Sequence, residues 1–137
     1  MVIDTSALVS IVLREPDYGR FRDALAAAPY TAISAATWLE SALVTTSRLG
    51  VQGRTYLDQI VATIGTEIVA VDAAQAEVAY DGWQRFGKGR HAAGLNFGDC
   101  FSYALARLRN EPLLFKGEDF SKTDIVPAKG TAGGDMP

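Results

Sequence analysis

Hydrophobic positions along this chain switch repeatedly between the spacing of a strand and that of a helix. Val2 and Ile3 are adjacent β-branched residues, a pattern that suits a short strand buried on both faces of a parallel sheet. Ser6 to Leu13 then shows helical spacing and stops before Pro16, and Asp17 is placed to cap a second helix through Ala28. Thr31 to Ile33 predicts a strand, and Ser34 the N-cap of a long helix to Leu49, ended by Gly50. A further helix is expected from Arg54 to Ile64, a strand from Glu67 to Val71, and a helix from Ala73 to Phe86 capped by Asp72. The stretch GKGRHAAGLNFG, Gly87 to Gly98, holds too many glycines for a settled helix and is expected to be a loop. Asp99 to Arg109 predicts the last helix, Pro112 to Phe115 a strand that leaves through the turn KGED, and Ile125 with Val126 a final short strand. From Ala128 the chain is Gly-rich without an apolar period, so residues 128–137 are expected to be a disordered tail behind one domain over residues 1–127. Strands alternating with helices imply right-handed crossovers, and the fold class follows: a three-layer α/β/α sandwich with a short parallel central sheet.

Composition narrows the class. The chain is 137 residues long, 48% hydrophobic and 21% charged, the balance of one globular domain with a core that needs no staples. A single cysteine, Cys100, rules out an internal disulfide, and with one histidine there is too little for a zinc site. Arg14, Glu15 and Pro16 break the opening apolar run, so neither an export leader nor a membrane span is expected, and the reading is a cytoplasmic protein. The net charge of -3 weighs against a nucleic-acid partner only in the absence of metal. Two divalent ions would bring the balance to about +1.

The candidate chemistry lies in carboxylates. Asp4 follows the first strand directly, where open α/β sheets bind their ligands, although capping the next helix is the plainer role for Asp4, Thr5 or Ser6. On a helical wheel for Ser34 to Leu49 the polar arc holds Thr37, Ser41, Thr45 and Arg48, whereas Glu40 lies beside Ala36, Leu43, Val44 and Ser47 and is expected to point toward the protein. Asp99 opens a helix whose inward residues are expected to be Cys100, Tyr103, Ala104 and Arg107 or Leu108, and Asn96 could do the capping in its place. Glu118 and Asp119 follow the strand Pro112 to Phe115 across Lys116 and Gly117. Hard oxygen donors without His or Cys select Mg²⁺, with Mn²⁺ a plausible substitute, and suit metal-assisted phosphoryl transfer.

In this order the motifs DTS at the first strand, ATWLES, NFGDCFSYALARLR and LLFKGEDFSKTDI resemble those of the PIN-domain ribonucleases, specifically the VapC-like toxins of bacterial toxin-antitoxin pairs. The resemblance runs from Met1 to about Val126 and implies that Asp4, Glu40, Asp99 and Asp119 form the metal site and carry catalysis, with Thr5 or Ser6 in support through hydrogen bonds. It further implies an endoribonuclease in which one or two Mg²⁺ ions activate a water and hold the scissile phosphate. A homodimer and a cognate antitoxin that covers the acidic groove are implied in the same way. Many relatives carry Asp directly after the glycine of the last motif, where this chain has Glu118, so Glu118 shares or replaces the part given to Asp119 by its spacing to Phe120. Lys88, Arg90 and His91 are the leading candidates for RNA phosphate contacts, with Lys116 and Lys122 next. His91 is not expected to act as a general base. Trp38, Trp83, Phe86 and Tyr103 recur at helical spacings and read as core or interface residues.

Two rival readings share the fold class. A non-catalytic module of the same fold would bind RNA or antitoxin without cutting. A receiver-type phosphoacceptor domain would also hold Mg²⁺ in an acidic pocket, but it wants an acidic pair at the first strand, where Asp4 stands between Ile3 and Thr5.

Overall fold

A computed structural model describes residues 1–131. Four parallel strands form one sheet in the order β3-β2-β1-β4. They are β1 (Val2–Ile3), β2 (Ala32–Ser34), β3 (Glu67–Val69) and β4 (Leu113–Leu114), with Val2 paired to Ala32 on one side and Leu113 on the other. Six helices connect them: α1 (Thr5–Val12), α2 (Tyr18–Ala27), α3 (Ala35–Leu49), α4 (Val51–Ile64), α5 (Ala73–Phe86) and α6 (Phe97–Arg109).

The side-chain period of two sorts successive strand residues onto opposite faces. Val2, Ala32 and Leu113 enter a core shared with Tyr103, Ala104, Phe115 and Phe120, on the side covered by α5 and α6. Ile3, Ile33 and Leu114 enter a second core with Leu8, Phe21, Leu25 and Leu57, on the side covered by α1, α2 and α4. The fold is therefore the three-layer α/β/α sandwich that the adjacent apolar pairs imply. Chain order reverses at β1, whose neighbours are β2 and the distant β4. That is a topological switch point, where a crevice opens beyond the carboxyl ends of the strands. The exposed edge is fastened by Arg109, whose guanidinium makes paired bonds of 3.1 and 2.9 Å to Glu67 and also meets the Tyr30 hydroxyl. Those two donors hold the Glu67 carboxyl down to about 2.

Several elements differ from the expectation. α4 starts at Val51 instead of Arg54, and Gly53 lies inside it because the helix passes so close to α3 that a β-carbon there would meet the Thr45 carbonyl oxygen at 2.1 Å. α6 starts at Phe97, with Asn96 as its N-cap, and its Arg107 and Leu108 are exposed where one of them was expected inside. Ile125 and Val126 form no strand, although this segment runs beside β4 through Leu113 N–H to Val126 O and Ala128 N–H to Leu113 O, with a single bridge at Pro127. The ordered chain also continues past Ala128. Ala128 and Thr131 are both 1% exposed, and Thr131 Oγ1 accepts the Phe115 N–H at 3.1 Å, which satisfies the last buried strand. Residues 132–137 of the expected tail lie outside the described residues.

The largest correction concerns α3. Its buried face is Thr37, Ser41, Ala42 and Thr45, which takes in the three hydroxyls of the arc read as polar, while Leu39 and Leu43 stand exposed. Hydroxyls can face a core when the helix itself accepts their protons. Ser41 Oγ donates to the Thr37 carbonyl at 2.9 Å and Thr45 Oγ1 to the Ser41 carbonyl at 2.8 Å. Small side chains on this face let α4 approach at Gly53. Glu40 consequently sits at the edge of the buried face, half-exposed.

Candidate active site

Asp4 is 4% exposed and caps α1 from the end of β1. Its Oδ2 accepts the Ser6 backbone N–H at 3.0 Å and the Ser6 hydroxyl at 2.7 Å. Its Oδ1 accepts the hydroxyl of Ser102, from α6, at 2.6 Å. Capping and site membership were set against each other in the sequence, yet one carboxylate can do both because each oxygen has two lone pairs. Ser6 Oγ also accepts the Lys116 N–H at 2.9 Å, which ties the end of β4 to the same carboxylate.

Glu40 reaches the crevice from α3. Thr5 Oγ1 donates to Glu40 Oε1 at 2.7 Å, and α6 comes so close that a β-carbon on Gly98 would stand 2.3 Å from Glu40 Oε2. Only glycine leaves the first turn of α6 open to that carboxylate. Asp99 follows in a capping box: its N–H donates to Asn96 Oδ1 at 2.9 Å and its Oδ2 accepts the Asn96 N–H at 3.1 Å. Asp99 Oδ1 is the oxygen that this box leaves out.

Burial pushes the Asp99 carboxyl up to about 7, and the negative charges of Asp4, Asp119 and Glu40 push in the same direction against the lowering effect of the Asn96 N–H. All four carboxylates predicted as one site are thus within electrostatic reach of a common point. They nevertheless stand apart, and no three acids, histidines or cysteines among the described residues are drawn together to ion-holding distance. Asp119 is exposed at the start of a short 3-10 turn, Phe120–Lys122, whose Phe120 is buried against Phe115. Glu118, beside Asp119, is exposed as well.

The basic candidates are arranged otherwise than expected. Lys116 Nζ is held by Glu15 at 2.9 Å and Asp17 at 3.1 Å. Arg90 donates to the Gln84 carbonyl at 2.9 Å and lies over the Trp83 ring, while His91 Nδ1 accepts the Ala93 N–H at 3.0 Å and packs edge-on against Phe86. Both pin the Gly87–Gly98 loop to α5. Lys88 and Lys122 are exposed. Sequence reasoning passed over Ser102 and Thr37, two buried hydroxyls 3.3 Å apart that stand behind Asp4. The one available signal was that Ser102 lies a helical turn after Asp99 and so shares its face.

The parallel sheet reversed at β1 belongs to a PIN domain: the family model of that description matches residues 1–126. The fold resembles the crystal structure of Mycobacterium tuberculosis VapC20, a Sarcin-Ricin loop cleaving toxin, with TM-score 0.77 over 93% of this chain and 98% of that one at 20% identity. A toxin-antitoxin complex from Klebsiella pneumoniae matches with TM-score 0.68 over 96% and 94% of the two chains, also at 20% identity. In sequence the chain is 52% identical to Ribonuclease VapC of Mycolicibacterium smegmatis over 92% of its length and 98% of the relative's. It is 51% identical to Ribonuclease VapC30 of Mycobacterium tuberculosis over 92% and 96%. The chain belongs to the VapC ribonucleases, toxins of the PIN-domain family.

Proposed function

We propose that this ribonuclease is a Mg²⁺-dependent endoribonuclease whose metal site is Asp4, Glu40, Asp99 and Asp119. The observation that carries the reading is the burial of Asp4 at the end of β1, gripped by Ser6 and Ser102, with its neighbour Thr5 holding Glu40 and with Asp99 on the helix that carries Ser102. Charges from three other segments, those of Asp4, Glu40 and Asp119, act on Asp99, a coincidence that independent helix caps do not need. The donors are hard oxygens only, which fits Mg²⁺ or Mn²⁺ and excludes a zinc-type site. Asp4, Glu40, Asp99 and Asp119 would hold a divalent ion, whose chemistry there would be polarisation of the scissile phosphate and a water of lowered pKa.

The chain's own residues prepare that chemistry. Ser6 and Ser102 fix the plane of the Asp4 carboxylate from opposite sides. Thr5 orients Glu40 through Oε1, and the Asn96 cap orients Asp99 through Oδ2, leaving Oδ1 for a ligand. Asp119, on the turn after β4, adds its charge to the set, and Glu118 is the less favoured fourth acid. Of the basic residues, Lys88 is the one best disposed to meet RNA phosphate. We further propose a homodimer and a cognate antitoxin as partners, in the cytoplasm. Leu39 and Leu43, which flank Glu40 on α3, and Phe97, which adjoins Gly98, are 52%, 60% and 81% exposed and favour a covering protein surface near the site. No helix among the described residues is long and apolar enough to cross a membrane.

The test is incubation of the purified chain, free of antitoxin, with total cellular RNA in Mg²⁺ or Mn²⁺, beside an EDTA control and the Asp99→Asn protein. Discrete metal-dependent fragments that the variant fails to produce are expected. Equal cutting by wild type and variant, or cutting that survives EDTA, would overturn the assigned site.

A further inference from the structure

The shortest bond to the Asp4 carboxylate comes from a hydroxyl that is not itself one of the acidic set. Ser102 is 0% exposed on α6, and its hydroxyl lies 2.6 Å from Asp4 Oδ1. An ionised carboxylate only accepts, so the single Ser102 proton goes to Asp4. The Ser102 oxygen is then left as an acceptor, and Thr37 Oγ1, 3.3 Å away and 1% exposed, is the group placed to donate to it. The result is a directed relay from Thr37 on α3 through Ser102 on α6 to Asp4 at the end of β1, joining three elements inside the core. Ser102 also lies three residues after Asp99, on the same face of α6. One helix therefore supplies Asp99 and grips Asp4.

We propose that Ser102 is a positioning residue of the acidic centre, which sets the orientation of Asp4 and its spacing from Asp99 before a divalent cation arrives. This rests on the metal-site reading above. A buried carboxylate held by a charge-assisted bond loses little freedom on binding, whereas one released from Oδ1 must be reoriented by the ion itself. Groups that orient a metal ligand in this way are worth about 10 to 100-fold in metal affinity.

The experiment is a Mn²⁺ titration followed by electron paramagnetic resonance of the free ion, at one pH, on wild type, Ser102→Ala, Ser102→Thr, Thr37→Val, Thr45→Val and Asp4→Asn. Each protein's thermal unfolding is recorded in EDTA. Thr45→Val removes a fully buried hydroxyl that bonds only to its own helix, and so controls for loss of packing. Ser102→Ala is expected to weaken Mn²⁺ binding about 10 to 100-fold while still unfolding cooperatively. Ser102→Thr, which keeps the hydroxyl, is expected to restore most of the affinity. Should the extra methyl unfold it, Thr37→Val decides instead, with a smaller loss expected than for Ser102→Ala. Wild-type affinity in Ser102→Ala, or an equal loss in Thr45→Val, would overturn the positioning role while leaving the metal site standing. Wild-type affinity in Asp4→Asn would overturn the metal site and the positioning role together.

Discussion

Glu40 and Gly98 are packed so closely that a β-carbon on residue 98 would stand 2.3 Å from Glu40 Oε2 and 2.7 Å from Oε1. The obstructed atoms are the far end of a flexible side chain, so Gly98→Ala can be accommodated by turning Glu40 away. The fold is expected to survive, with a melting temperature near wild type, while Mn²⁺ affinity and RNA cleavage fall about tenfold or more. Calorimetric metal titration beside a melting curve checks both halves.

The pH dependence of stability follows from Asp99. Its folded carboxyl titrates at about 7, above the ordinary 3.8, because burial comes first and three neighbouring charges add to it. Between those values the unfolded chain has lost the proton and the folded chain keeps it, so stability falls as pH rises through the window and levels off above about 7. Glu67, lowered to about 2, is ionised in both states above about pH 5.5 and adds no slope there. In EDTA, melting temperatures from pH 5.5 to 8 are expected to decline for wild type and to decline less for Asp99→Asn. A matching decline in the variant would place the responsible group elsewhere.

Metal binding carries the opposite dependence. A ligand that must shed its proton binds more weakly in acid, so Mn²⁺ affinity is expected to fall by up to about tenfold per pH unit below 7. Isothermal titration in buffers of different ionisation enthalpy should register close to one proton released per binding event at pH 6.

The fourth acid can be separated from its neighbour. Asp119 is among the charges that raise the Asp99 carboxyl. Asp119→Asn is expected to lower RNA cleavage on the order of a hundredfold, as is Asp4→Asn, whereas Glu118→Gln stays within about twofold of wild type. Initial rates on a single RNA fragment at saturating Mg²⁺ would reverse the assignment if the order came out the other way.

Away from the site, a β-carbon on Gly82 would lie 2.4 Å from the ring of Tyr103, which is fully buried between α5 and α6. Gly82→Ala is expected to cost about 1–3 kcal/mol in urea unfolding through overpacking. Mg²⁺-dependent cleavage at low temperature should change little, since neither residue touches an acid of the site.

The sequence by itself determined the layer architecture. Adjacent apolar residues such as Val2 with Ile3 and Leu113 with Leu114 can only be satisfied by a sheet covered on both faces, and the residue that follows β1, Asp4, stands at the carboxyl end of that sheet as the cap of α1. Asn96 as a cap was legible too, because its backbone partners are local. Tertiary structure alone decided which face of α3 turns inward, since hydropathy ranks a hydroxyl as polar and cannot register that the preceding turn accepts its proton. The same limit hid Ser102, whose partner lies 98 residues away in the chain, and the ion pairs of Lys116 with Glu15 and Asp17. Periodicity reports the direction of a side chain relative to its own element. What that side chain meets there is set by the elements packed against it.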